Sequence, residues 1–181
     1  MTFSREQILD ACVLINLLAS GEIEGILRVA ARDSLICSAV EQESIYLRTG
    51  DPHTPLELIE LKPLIDSGLL TICRIESDHE AQLYVDYASA LDDGEAMSLA
   101  IALSRDLILA TDERKARRLF SEAAGDQESL TSTSALVRYW AEAERIPADR
   151  VKTALTRIEE RARYQPPTTD KNYQWWIGAS R

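Results

Sequence analysis

Asp10 and Asp112 each stand just past a short apolar run, Gln7-Ile8-Leu9 before the first and Leu107-Ile108-Leu109-Ala110, with Thr111 between, before the second. Such runs read as strands buried on both faces of a parallel sheet. Ligands of open α/β sheets bind outside the carboxyl ends of the strands, so both aspartates are placed for chemistry, although either could be an ordinary helix cap. Glu95 is a third carboxylate. Asp92 or Asp93 can cap a helix whose stripe is Ala96, Leu99, Ala100 and Leu103, which puts Glu95 in its first turn, where the macrodipole favours negative charge. Glu43 is the fourth. On a helix over 39–47 it shares a face with Val40, Ser44 and Leu47, and there it needs solvent, a partner such as Arg48, or a metal. Carboxylates of this kind, if they converge, either take up protons or hold a divalent cation.

The elements that must position them follow from the periodicity. Cys12–Leu18 continues as a largely apolar helix ending near Gly21, and Ile23–Ala31 as another. Ser34–Cys37 reads as a second strand, with Ser38 as N-cap of the helix over 39–47. A loop over Gly50–Pro55 leads to a helix over Leu56–Ser67, stopped by Gly68, and then to a third strand over Leu69–Ile75. Asp78–Leu91 returns as a helix. An edge strand around Leu130 precedes a helix from Ala135 to Glu144, and Pro147 opens another through Val151, Ala154, Leu155 and Ile158. Strands alternating with helices imply an α/β fold, a parallel sheet with helices on both faces and right-handed crossovers. The end of the chain, Thr168–Arg181, has no period but holds Tyr173, Trp175 and Trp176. Adjacent tryptophans seldom stay bare, so they are expected to dock on this chain, on a second copy or on a partner.

At 181 residues, with 45% hydrophobic and 28% charged side chains, one domain with a sizeable core is the default. No apolar run approaches the about 18 to 20 residues a spanning helix needs, and Met1–Glu6 lacks the basic start and apolar core of a leader, so a cytoplasmic protein without membrane contact is expected. Cys12, Cys37 and Cys73 lie far apart in apolar stretches and read as buried free thiols. The net charge of −10 opposes general coating of nucleic acid. It is uneven: residues 1–136 carry 11 basic and 24 acidic side chains, residues 137–181 carry 9 and 6. Arg114, Lys115, Arg117 and Arg118 begin two residues after Asp112. They read either as a grip on phosphates flanking a cleavage point or as a solvated helix face paired with Glu113 and Glu122.

Four segments, taken in order, resemble the PIN-domain nucleases and, within them, the toxin-like bacterial (VapC-type) members. They are Ile8-Leu9-Asp10-Ala11-Cys12-Val13-Leu14-Ile15-Asn16, Ala39-Val40-Glu41-Gln42-Glu43, Asp93-Gly94-Glu95-Ala96-Met97-Ser98-Leu99-Ala100 and Leu109-Ala110-Thr111-Asp112-Glu113-Arg114-Lys115-Ala116-Arg117. The resemblance implies a three-layer α/β/α sandwich with a short, mostly parallel sheet. It also implies an endoribonuclease dependent on Mg²⁺ or Mn²⁺ that cleaves single-stranded RNA as the toxin of a type II toxin-antitoxin pair. Asp10, Glu43, Glu95 and Asp112 correspond to the catalytic acids, with Asp10, Glu95 and Asp112 as metal ligands, Glu113 assisting, and Asp92 and Asp93 as spares. The partners to expect are the RNA, an antitoxin protein and a second copy of the chain. On this reading residues 1–145 form the nuclease domain, 146–164 a C-terminal helix packed on it, and 165–181 an aromatic tail. The other function to expect is a catalytically weak interaction module acting through its C-terminal helices and tail. Two positions depart from the pattern: Ala11, where many relatives carry Ser or Thr, and Glu95, where many toxin members carry Asp. A dehalogenase-type phosphatase would need Asp-x-Asp after the first strand, and here Ala11-Cys12 follows Asp10.

Overall fold

The computed structural model describes residues 5–43, 45–125 and 128–181. Met1–Ser4, the first part of the Met1–Glu6 stretch read above, and Ser44, inside the helix expected over 39–47, lie outside the described residues. The buried strand β1 (Gln7–Leu9) hands over at Asp10 to helix α1 (Ala11–Ser20), which ends where Gly21 turns left-handed at φ +74°, a conformation glycine adopts without steric cost. Helix α2 (Ile23–Ala30), strand β2 (Ser34–Cys37) and the short α3 (Ser38–Gln42) follow.

Here the chain departs from the sequence expectation. The helix ends at Gln42, and Ile45–Arg48 is strand β3, paired antiparallel with β4 (Leu56–Ile59). The reason is a period of two: Ile45 and Leu47 are 2% and 1% exposed, whereas Tyr46 between them is 50% exposed. The helix expected over 56–67 shrinks to α4 (Lys62–Asp66), since Leu56 to Ile59 extends beside β3 and pairs with it antiparallel. Ser38 is the first helical residue and not the cap; its hydroxyl donates to Met97 Sδ at 3.6 Å.

Strand β5 (Thr71–Cys73), helices α5 (Asp78–Ala88) and α6 (Asp93–Arg105), strand β6 (Ile108–Ala110), helix α7 (Arg114–Ala124), strand β7 (Leu130–Thr131) and helix α8 (Thr133–Ala143) match the alternation expected. The five main strands pair in parallel in the order β5-β2-β1-β6-β7. Two groups of packed helices, α1, α2 and α8 with α9 (Ala148–Arg157), and α3, α5, α6 and α7, flank this sheet. The core between the layers holds Ile8, Leu9, Leu14, Leu17, Ile36, Phe120 and Trp140, all at most 1% exposed. The chain builds from β1 outward through β2 to β5, then returns to the other side of β1 with β6, so the strand order switches between β1 and β6. Asp10 and Thr111-Asp112 follow those two strands.

After α9 the helix widens into a π-helical turn (Ile158–Ala162), Arg163 turns left-handed at φ +58°, and a C-terminal helix α10 (Tyr173–Ala179) forms where no period was visible. Trp176 docks on its own chain and is fully buried; its indole N–H donates to Glu159 at 2.7 Å and its ring meets Tyr164 edge-on at 5.7 Å. Trp175 lies under the Arg138 guanidinium at 6.0 Å. All three cysteines are free, Cys37 and Cys73 buried and Cys12 half-buried. No helix among the described residues is long and apolar enough to cross a membrane.

Candidate active site

Asp10 is both a cap and a buried acid, 2% exposed. Its Oδ1 accepts the Ala11 N–H at 2.7 Å, and its Oδ2 accepts the Thr111 hydroxyl at 2.7 Å and the Cys12 thiol at 3.2 Å. Position 11 has no hydroxyl, and Thr111 supplies one from the neighbouring strand end. Burial nevertheless pushes the Asp10 carboxyl above its ordinary range, against these donors and with the charge of Asp92 adding to it.

The start of α6 brings more acid to the same place. Asp92 Oδ1 accepts the Glu95 N–H at 2.8 Å and Glu95 Oε2 accepts the Asp92 N–H at 3.4 Å, a reciprocal capping box. Between them Gly94 lets Glu43, the residue closing α3, approach: a Cβ on Gly94 would stand 2.7 Å from Glu43 Oε1, 3.2 Å from Val40 Cγ2 and 3.7 Å from Asp92 Oδ1. A side chain at position 94 would push the Glu43 carboxylate aside, and the space its absence leaves is bordered by the Glu43 and Asp92 oxygens. Burial, then the charges of Asp92 and Asp10, raise Glu43 above its usual range and Glu95 to about 7.

Asp112 is held differently. Its Oδ1 accepts the Thr133 N–H and the Tyr164 hydroxyl, both at 3.0 Å; its Oδ2 accepts Asn16 Nδ2 at 3.0 Å and the Thr133 hydroxyl at 2.5 Å. A carboxylate offers about four lone-pair positions, so these donors fill it. The carboxylate thus ties α1, the start of α8 and the segment after the π-helical turn together, while its backbone N–H donates to Cys12 Sγ at 3.4 Å, the atom bonded to Asp10. Burial still raises its pKa, and burial and the Asp112 charge raise the Tyr164 phenol. None of Asn16, Thr133, Tyr164 or the Thr111 hydroxyl was singled out from the sequence. Asn16 carried a visible signal, a lone amide within an otherwise apolar helical run.

Of the basic residues, Arg117 is spent on the fold, donating from Nη1 to the carbonyls of Thr111 at 2.7 Å and Thr131 at 2.6 Å, at the ends of β6 and β7. Arg118 pairs with Glu122 at 2.9 Å, as the solvated-face reading expects, and Lys115 donates to the Ala90 carbonyl. Arg114 is exposed and makes no ion pair or hydrogen bond among the described residues.

The structure therefore gathers Asp10, Glu43 and Glu95, with Asp92, at the carboxyl ends of β1 and β6, and sets Asp112 beside them with its carboxylate turned to other partners. Among the described residues no three acidic, histidine or cysteine side chains are arranged to enclose a cation as they stand. The donor set still suits a hard cation: carboxylate oxygens bordering the Gly94 space, with His53 in the hairpin loop and His79 in the first turn of α5. A cavity of about 390 Å³ between α5, α6 and α7 opens beneath the amino end of β6 and contains none of these acids.

Raised carboxyl pKa values set the pH dependence of stability. Between the ordinary value of 4.5 and about 7 the folded chain binds more protons at Glu95 than the unfolded chain does, so stability falls as pH rises through that window. Asp10, Glu43 and Asp112 act in the same direction, whereas Glu80, lowered by its ion pair with Arg105, loses stability only on acidification. The melting temperature in chelator is expected to decline from about pH 5 to about pH 8, less steeply in Glu95→Gln. A flat or rising calorimetric profile would contradict the burial of these acids.

A family model described as PIN domain (DUF3368) matches residues 6–173. Neither curated proteins nor solved structures gave a match. The match spans nearly the whole chain, all five main strands and every acid described above, and PIN domains are generally nucleases, which supports a hydrolase acting on nucleic acid. With its parallel five-stranded sheet flanked by helices and its acids at the β1–β6 switch, the chain belongs to the PIN-domain family.

Proposed function

We propose that the chain is an endoribonuclease dependent on Mg²⁺ or Mn²⁺ that cleaves single-stranded RNA, and that it is the toxin of a type II toxin-antitoxin pair. The observation that supports this best is that Glu43 closes on Gly94 beside Glu95, with the charge of Asp10 acting on both glutamates, in a fold of nucleases. A bound Mg²⁺ or Mn²⁺ supplies positive charge against the scissile phosphate and lowers the pKa of a bound water. It also offsets the repulsion between a chain of net charge −10 and a polyanion.

The chain's own residues divide the work. Asp10, fixed by three donors, and Glu95 would hold the cation, with Glu43 bordering the Gly94 space. Asp112 would reach the cation only if one of its four donors gave way. Glu95 Oε1, which takes no hydrogen bond among the described residues, is free to orient a water at the site. Arg114 is the cation free to meet a flanking phosphate, the other three basic side chains being engaged. A binding module working through its tail is less well supported, because Trp176 is buried in its own chain.

Mn²⁺ added to chelator-treated protein is expected to start cleavage of single-stranded RNA and to leave duplex RNA largely intact. Equal inertness with and without Mn²⁺ across RNA substrates would refute the assignment. Growth arrest on expression, relieved by the product of a neighbouring reading frame, is the result expected of a toxin.

A further inference from the structure

We infer that the outer edge of β4 is an interface for a second copy of this chain, which pairs antiparallel along it and joins the two hairpins into one four-stranded sheet. This surface does not depend on the chemistry of the acidic site. The hairpin of β3 and β4 is a sheet of its own, and its two edges differ. Along β3, Arg161 from the π-helical turn donates to the Arg48 carbonyl at 3.1 Å. Beside β4 no further strand stands among the described residues. The Thr49 N–H donates to the Pro55 carbonyl at 3.2 Å, and hydrogen-bonded pairs alternate along an antiparallel ladder. Leu47–Glu57 and Ile45–Ile59 therefore close the hairpin, while Leu56 and Leu58 turn their N–H and C=O groups to the outer edge.

Open edges are ordinarily blunted by lysine, proline or an inward charge, and Leu56–Ile59 holds neither lysine nor proline. Its one charge, Glu57, is drawn to Arg161 at 2.7 Å, while Leu56 and Leu58 stand 49% and 56% exposed beside Tyr46. The charges that flank these leucines suit a copy of the same strand. Arg48 opposes Leu56 on β3, and Glu60 follows two residues after Leu58; both side chains are exposed and make no ion pair or hydrogen bond among the described residues. With Leu58 on a two-fold axis against its own image, Leu56 meets Glu60 of the second copy. Arg48 then stands two strands from that glutamate, about 10 Å, within the joint reach of the two side chains. Symmetry makes this pair twice, on either side of a leucine centre. Setting Leu56 against Leu58 instead would bring Glu57 opposite Glu57, like charges face to face.

Sedimentation of the full chain tests this. Wild type is expected to be a reversible dimer with a Kd between about 1 μM and 1 mM, because an edge pairing is a small interface. Leu58→Lys, at an exposed position, is expected to keep the melting temperature of the dilute chain and to weaken the dimer at least about tenfold. Arg48→Glu and Glu60→Arg are each expected to weaken it about tenfold, and the double variant to return within about twofold of wild type, since exchanging the two charges restores the pair. A wild-type monomer throughout that range overturns the inference and leaves the edge to another protein's strand or to water. A dimer that Leu58→Lys does not weaken, or a double variant no tighter than either single one, places the contact on another face and overturns it too.

Discussion

Asp10→Asn is expected to abolish Mn²⁺-dependent cleavage, a loss of at least about 100-fold, while leaving the metal-free protein as stable as wild type or more so. The two halves of this prediction have one cause. Asp10 is 2% exposed and burial raises its pKa, so the fold disfavours the ionised form of this carboxyl. Asparagine caps α1 equally well, accepts the Ala11 N–H at the same place, and presents an amide that the Thr111 hydroxyl can turn to accept. A residue kept only for structure would lose stability on this change. A residue kept for its charge loses function and gains stability. Activity and melting temperature measured on the same preparation check both; a destabilised variant with cleavage intact would assign Asp10 to the fold alone.

The second large effect lies at the other end of the chain. Trp176→Ala removes a fully buried indole and is expected to cost about 3–5 kcal/mol, or a fall in melting temperature of about 10 °C. The loss includes the hydrogen bond to Glu159 and the edge contact with Tyr164, whose hydroxyl is one of the four donors on Asp112. The damage should therefore reach the acidic site. Trp176→Phe, which keeps an aromatic edge without the N–H, is expected to recover most of the stability. An unchanged melting temperature in Trp176→Ala would show that α10 does not pack where it is described.

Much of this was legible in the chain. The apolar triplets before Asp10 and Asp112, the apolar strand before Ser38 and the capping pattern at Asp92 each carry a local signal, because a buried parallel strand and an N-cap are dictated by the residues that form them. The hairpin of β3 and β4 was not legible as such: Ile45-Tyr46-Leu47-Arg48 is too short for a period of two to be told from a helical stripe once Val40 and Leu47 are counted together. The circumstances of Asp112 were hidden for another reason. Its donors sit 96, 21 and 52 residues away, and no local pattern reports a contact of that span. Thr111 is the intermediate case, beside Asp112 in sequence but turned to Asp10 in space. Helix α10 forms because Trp176 has a pocket between α8, α9 and Tyr164 to enter, a tertiary reason that periodicity cannot carry.

The proposal that a divalent cation binds among Asp10, Glu43 and Glu95 is tested without substrate by paramagnetic broadening of amide resonances with substoichiometric Mn²⁺. The amides of Ala11, Glu43, Gly94 and Glu95 should broaden first, and those of Leu107 and Phe120 at the opposite end of the sheet should stay sharp. Broadening spread evenly over the acidic surface, or strongest away from Gly94, would contradict it.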